Sequence, residues 1–306
     1  MTVTGPVVVL AGGTGGAKLA RGMLDVVGSD DLVVVANTGD DIEIYGAHVS
    51  PDPDLVAFWL ADQIDERGWG LAGDTFAVMD GLRALGVDVW FNLGDRDLAI
   101  GIERARALDA GVRLTEAHAR IATALGIGAR VLPMSDGPVR TRVMADGRWW
   151  SLQEFLIRRR GEGPVQDVEF RHVRAAAPTP EVLAAIGDAR AIVIGPSNPV
   201  ISIGPILALP GLADAITASP APVVAVSPLV KGRVLKGPTE AFMRWARRAV
   251  SSSGIAAAYE GLISGLVADE RTRTLPVLET DVLMADAEDR RRVAHQTLQF
   301  ALGLRG

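Results

Sequence analysis

A chain of 306 residues is long enough for two average domains or for one elaborated α/β domain, and either buries a sizeable core. It contains no cysteine, which excludes disulfides, thiolate metal sites and a cysteine nucleophile, so any metal must sit on oxygen or on one of four histidines. The net charge of −6 argues against a general attraction for nucleic acid, and no apolar run approaches the roughly 20 residues that span a bilayer, so the composition predicts a soluble, cytoplasmic protein that binds no membrane.

In chain order, apolar runs of strand length stand at Val7–Leu10, Leu32–Ala36, Val87–Asn92, Ala191–Ile194 and Val223–Val226. Segments with helical spacing lie between them, such as Leu55–Ile64 and Thr75–Leu85, and Ala287–Leu302 reads as a closing amphipathic helix. Two-sided apolar strands alternating with helices predict an α/β fold with a doubly wound, mostly parallel, Rossmann-like sheet. The stretch Val131–Arg174 departs from this pattern. It alternates apolar and polar residues around an Asp146-Gly147 turn signal, which predicts a small α+β insertion over 131–174 between core halves 1–130 and 175–306.

Ligands of such sheets lie at the carboxyl ends of the strands, so the segments after each run matter most. The first is AGGTGGAK, with Gly12, Gly13, Thr14, Gly15, Gly16 and Lys18. A strand, a glycine turn and a helix start place N–H groups and the positive helix end against an anion. Neither the P-loop nor the dinucleotide fingerprint is met, because Gly16 is followed by Ala17, Lys18 and Leu19. A tight turn with a solvated lysine is the plainer reading of the same residues. The next exit, NTGDDIEIYGAHVSPDPD, carries Asp40, Asp41, Asp52 and Asp54. Closely spaced carboxylates suit Mg²⁺, while turn formation and the capping of the following helix are the structural alternatives. GDRD and PMSDGP also read as turns, and GPSNP exposes Ser197 and Asn198 after a strand. The last exit, SPLVKGRVLKGP, holds Lys231 and Lys236.

Together and in this order, GGTGGAKL, NTGDD, SPDPD, GDTF, LGDRDLA, LPMSDGPV, IGPSNPVISIGPIL and VAVSPLVKG resemble the CofD/FbiA family over almost the whole chain. These are the 2-phospho-L-lactate and phosphoenolpyruvyl transferases of coenzyme F-420 biosynthesis. The resemblance implies a Mg²⁺-dependent transferase. Its donor is a three-carbon acid linked to guanosine diphosphate, its acceptor is the ribityl hydroxyl of the deazaflavin Fo, and GMP is released. It also implies that Gly12, Gly13, Thr14, Gly15, Gly16, Lys18, Ser197 and Asn198 hold the donor nucleotide. Asp52 and Asp41 become the catalytic candidates, Asp52, Asp41 and Asp40 the metal ligands, and Asp95, Arg96, Asp97, Ser135 and Asp136 the residues facing the acceptor. Phosphoenolpyruvate is the favoured acid and a homodimer the expected assembly. The rival readings are a nucleotide or nucleotide-sugar sensor without chemistry, and an NAD-dependent dehydrogenase, which Asn37 disfavours by standing where an acidic ribose reader belongs.

Overall fold

β1 (Val7–Ala11) and β2 (Leu32–Ala36) are buried along their whole length, as strands are inside a sheet covered by helices on both faces. In the computed structural model, which describes residues 4–235 and 237–304, they are joined by α1 (Gly13–Val27). Lys236 lies outside the described residues. After β2 the chain makes a long excursion. A hairpin of β3 (Ile42–Ile44) and β4 (Ala47–Val49) leads into α2 (Pro51–Leu60), α3 (Ala77–Ala84), α4 (Asp95–Asp109) and α5 (Leu114–Ala124). It returns as β5 (Arg130–Pro133), paired with β2 at the sheet edge. A separate antiparallel sheet then forms from β6 (Arg140–Ala145), β7 (Arg148–Ser151) and β8 (Asp167–Arg171), with the short α6 (Leu152–Ile157) leaving β7. Alternation resumes with α7 (Pro180–Gly187), β9 (Ala191–Ile194), α8 (Gly204–Leu207), α9 (Leu212–Ala218) and β10 (Val223–Val226). A ribbon of β11 (Leu229–Val230) and β12 (Arg233–Val234) follows, then α10 (Thr239–Trp245), α11 (Ser252–Ala258), β13 (Gly265–Ala268), β14 (Val277–Glu279) and α12 (Ala287–Gly303).

The central sheet has seven strands in the order β14-β13-β10-β9-β1-β2-β5, and each pairing is parallel. The winding reverses between β1 and β9, so this is a doubly wound α/β sheet whose ligand crevice opens at the carboxyl ends of those two strands. Period-two alternation divides the core into two layers. Val8, Leu10, Val33 and Ile192 face α7, α9 and α11, while Val7, Val9 and Val34 face α1, α2 and α12.

Three expectations need correction. Val87–Asn92 forms no strand: the place beside β2 is filled by β5, and the run is an extended segment on the excursion. GDRD at Gly94–Asp97 therefore opens α4 and is not a strand exit. The helix expected at Leu55–Ile64 begins with Pro51 at its first turn, where the missing N–H costs nothing, and ends at Leu60, before Asp62 turns left-handed at φ 54°. The turn Asp146-Gly147 forms as expected, with φ 52° and 72°. Arg130–Pro133 pairs with β2 in the central sheet, and the three antiparallel strands that follow lie within 140–171, inside the stretch that departs from the α/β pattern.

Candidate active site

The glycine loop and the β9 exit touch because the glycines leave room for contact. A Cβ on Gly15 would lie 2.1 Å from the Pro196 carbonyl oxygen, one on Gly16 2.6 Å from Ser197 Oγ, and one on Gly12 2.7 Å from Asp52 Oδ2. Gly13 needs glycine for another reason, its φ of +63°. The Gly12 N–H donates to Ser197 Oγ at 3.3 Å, so buried Ser197 braces the loop. Asn198 Oδ1 accepts the N–H groups of Val200 (2.9 Å) and Ile201 (3.2 Å), which shapes its own turn. Lys18 Nζ donates to the Met284 carbonyl at 2.9 Å. Around these groups opens a cavity of about 470 Å³ whose walls include Gly12, Gly13, Thr14, Gly15, Lys18 and Ser197. It lies at a helix N-terminus and at the switch point of the sheet, the place where phosphates bind in such folds. Gly16 is buried behind the cavity and acts through packing.

Beside this cradle lies an acidic floor that Asn37, at the exit of β2, organises. Its Nδ2 donates to Asp40 Oδ1 at 3.0 Å and to Asp52 Oδ2 at 2.9 Å, while its Oδ1 accepts the Gly39 N–H at 2.7 Å. Asp52 Oδ1 accepts the Gly13 N–H at 2.6 Å, so this carboxylate occupies one of the donors opening α1. Asp52 and Asp54 therefore lie within the first turn of α2, neither at its N-cap, which is Ser50. Burial pushes Asp52 up to about 6, against the bonds from Asn37 and Gly13. Burial and the charges of Asp52 and Asp41 push Asp40 well above the usual carboxylate range. Asp41 Oδ2 accepts from Ser50 Oγ at 2.8 Å and meets His48 Nε2 at 3.0 Å, whereas its Oδ1 is buried without a partner. Burial opposes a proton on His48, but Asp41 and Glu43 overcome it and raise its pKa to about 9. Behind them the fully buried Arg104 grips both oxygens of Asp54 and donates to the His48 carbonyl at 2.9 Å.

Among the described residues, no group of three or more acidic or histidine side chains forms a ready metal cage. The arrangement is instead two neighbouring carboxylates, Asp40 and Asp52, in which the charge of Asp52 raises the proton affinity of Asp40, with the unpartnered Asp41 oxygen close by. That donor set fits Mg²⁺, which takes one or two carboxylates and completes its shell with water and substrate phosphate.

A second cavity, of about 550 Å³, lies across the floor. Phe58, Trp69, Trp90 and Phe91 give it aromatic walls, and Asp40 and Asp52 also line it. Leu156 borders both cavities. Val87–Asn92 thus supplies cavity wall where a strand was expected. Asp97 lines this cavity too, and burial together with Asp54 and Asp74 raises its carboxyl to about 7. The other four residues expected at the acceptor line neither of these cavities. Asp95 accepts the Ala77 and Val78 N–H groups that open α3 (3.0 and 2.9 Å), and the Arg96 guanidinium reaches Ala72 O and Gln63 Oε1. Ser135 is buried, and Asp136 is bound by Thr115 and Arg113. Both follow β5, which lies at the edge of the sheet, two places from β1 and the switch point.

Asn37 and Gln153 were not among the expected site residues, nor were Arg104 and the aromatic wall. Asn37 was visible as the residue closing an apolar strand, whereas Arg104 looks like any exposed helical arginine in the sequence.

A doubly wound sheet with a glycine loop at its switch point, an acidic floor and an adjoining aromatic cavity defines a Rossmann-like α/β protein. Residues 7–299 match the family described as 2-phospho-L-lactate transferase CofD, and the chain belongs to that family of transferases. It is 36% identical over 302 residues to the 2-phospho-L-lactate transferase of Methanosarcina mazei, covering 95% of this chain and 99% of the relative. It is 37% identical over 316 residues to the phosphoenolpyruvate transferase of Streptomyces griseus, covering 96% and 98%. A UPF0052 family protein from Bacillus halodurans shares the fold, with a TM-score of 0.61 at 15% identity over 96% of this chain and 99% of that one. Among the described residues, no helix is long and apolar enough to cross a membrane.

Proposed function

We propose that this chain transfers a phosphoenolpyruvyl or 2-phospholactyl group from a guanosine diphosphate-linked donor to the ribityl hydroxyl of the deazaflavin Fo, releasing GMP, in coenzyme F-420 biosynthesis. The observation that carries this reading is the adjacency of two unlike cavities, one glycine-lined and one aromatic with Asp40 and Asp52 in its wall, which share Leu156 and are linked by the Gly13 N–H bond to Asp52. A sensor of one nucleotide has no use for the second. The relatives named as transferases of 2-phospho-L-lactate and of phosphoenolpyruvate support the same class of transferred group.

In this reading the N–H groups opening α1 hold the donor phosphates, and the planar acceptor ring stacks between the aromatic walls of the other cavity. Asp52, with Asp40 and Asp41, would hold Mg²⁺, which when bound neutralises diphosphate charge. The acceptor oxygen forms a new bond to the phosphorus carrying the acid, the bond to the GMP oxygen breaks, and the hydroxyl proton leaves toward the Asp40–Asp52 floor. The chain's contribution is chiefly positioning and charge placement. Phosphoenolpyruvate remains the favoured acid, on the family resemblance alone.

The test is calorimetric titration with Fo, and with GMP or GDP, each with and without Mg²⁺. Binding of Fo, together with guanine-nucleotide binding that Mg²⁺ strengthens, is the expected result. Absence of Fo binding under both conditions would remove the proposed acceptor.

A further inference from the structure

α6 belongs to the insertion, yet it stands at the junction of the two cavities. Its start is fixed by a capping box in which Ser151 Oγ accepts the Glu154 N–H and Glu154 accepts the Ser151 N–H, each at 3.2 Å. Phe155 packs edge-on against Phe242 of α10, centroids 5.9 Å apart, in an apolar cluster that also holds Ile201 from the β9 exit. One residue further, Leu156 faces both cavities, and Ile157 lines the aromatic one. Gln153, buried at 8% exposure, is the polar member of this helix that points at the floor. Its Nε2 donates to Asp40 Oδ2 at 3.2 Å, across 113 positions of sequence, while Asn37 holds the other oxygen of Asp40.

We propose that Gln153 is a positioning residue that pins α6 to the floor, so that α6 partitions the cavities and keeps water from the donor phosphorus. The inference rests on the transfer reading above. An amide fits the task because it donates to Asp40 without bringing a charge to a floor already crowded with carboxylates. Without that bond, Asp40 loses a partner inside a buried cluster, and the helix carrying Leu156 loses its anchor. Solvent then competes with the acceptor. In the competing reaction a water oxygen bonds to the same phosphorus, the bond to the GMP oxygen breaks, and water's proton passes to solvent. The products are GMP and the free phosphorylated acid.

The experiment compares wild type with Gln153→Met and Gln153→Ala at saturating Fo and Mg²⁺, using the guanosine diphosphate-linked phosphoenolpyruvyl donor. GMP and the transferred deazaflavin product are measured in the same reaction, and thermal melting establishes that each variant is folded. Gln153→Met keeps the volume and an apolar end, so it retains packing while losing the donor. The expected result is a ratio of hydrolysis to transfer raised about tenfold in the variants, with transfer itself reduced. A merely structural role lowers both reactions in proportion, so an unchanged ratio in folded variants overturns the inference alone. If wild type makes no transferred product, the transfer reading falls, and this inference with it.

Discussion

A guanidinium with no exposed surface, that of Arg104, holds both oxygens of Asp54 and the carbonyl of His48, and so joins α4 to α2 and to the β3–β4 hairpin. Such a pair adds little compared with an apolar isostere, but removing one partner strands a buried charge. Arg104→Met should therefore cost about 3–5 kcal/mol in denaturant unfolding, and a loss below about 1 kcal/mol would contradict this account. Asp97 gives a prediction with a pH sign. Burial, then Asp54 and Asp74, hold its carboxyl up at about 7, whereas in the unfolded chain it releases its proton near the ordinary value of 3.8. Folding therefore takes up a proton between those values, and the stability tied to this group is complete below the lower one and lost as pH rises through the upper. Asp97→Asn does not titrate. Its free energy of unfolding, from denaturant titrations, should gain on wild type between about pH 5 and about pH 8 by an amount on the order of 2 kcal/mol, and parallel pH profiles would refute this. Little at this scale was legible beforehand. Asp52 stood out in SPDPD, but nothing in GIERARALD distinguishes buried Arg104 from a solvated arginine, because only the tertiary partner Asp54 makes the difference.

The β1–α1 turn shows what an element requires of its residues. At Gly15 the obstacle to a side chain is the Pro196 backbone, which cannot rotate away, whereas at Gly13 space is open and only the positive φ opposes a Cβ. Gly15→Ala should destabilise by about 1–3 kcal/mol through overpacking and abolish guanine-nucleotide binding, since it parts the two loops that form the cradle. Gly13→Ala should cost about 1 kcal/mol and bind within a few-fold of wild type, because the loops stay in contact. Differential scanning fluorimetry and calorimetry on the pair check this, and equal effects at the two positions would contradict it. The strands legible in the sequence were those buried on both faces, β1, β2, β9 and β10, whose apolar runs are continuous. Val87–Asn92 carries the same signal for another reason: its apolar side chains meet a cavity and the hydrophobic group around Met79. Periodicity cannot separate those two fates for a short run. β13 opens on Gly265, which interrupts its short apolar run, and β14 has only three residues, so neither stood out as a continuous run.

For the whole molecule, the doubly wound class followed from alternation, and its consequence, ligand groups at strand exits, placed the glycine loop and Ser197 at one crevice. The junction of two cavities was not legible. It depends on an excursion of four helices and on an inserted sheet folding back so that Gln153 reaches Asp40. Asp136, which the family resemblance assigned to the acceptor, is tied to Arg113 and Thr115 and lines neither of the two cavities. The central claim is that these two cavities serve one transfer. The most direct measurement is to mix the protein with the guanosine diphosphate-linked donor, Fo and Mg²⁺, and to quantify products by chromatography with mass spectrometry. This account predicts GMP and the deazaflavin carrying the phosphorylated acid in equal amounts. GMP without the deazaflavin product, or neither product, would contradict it.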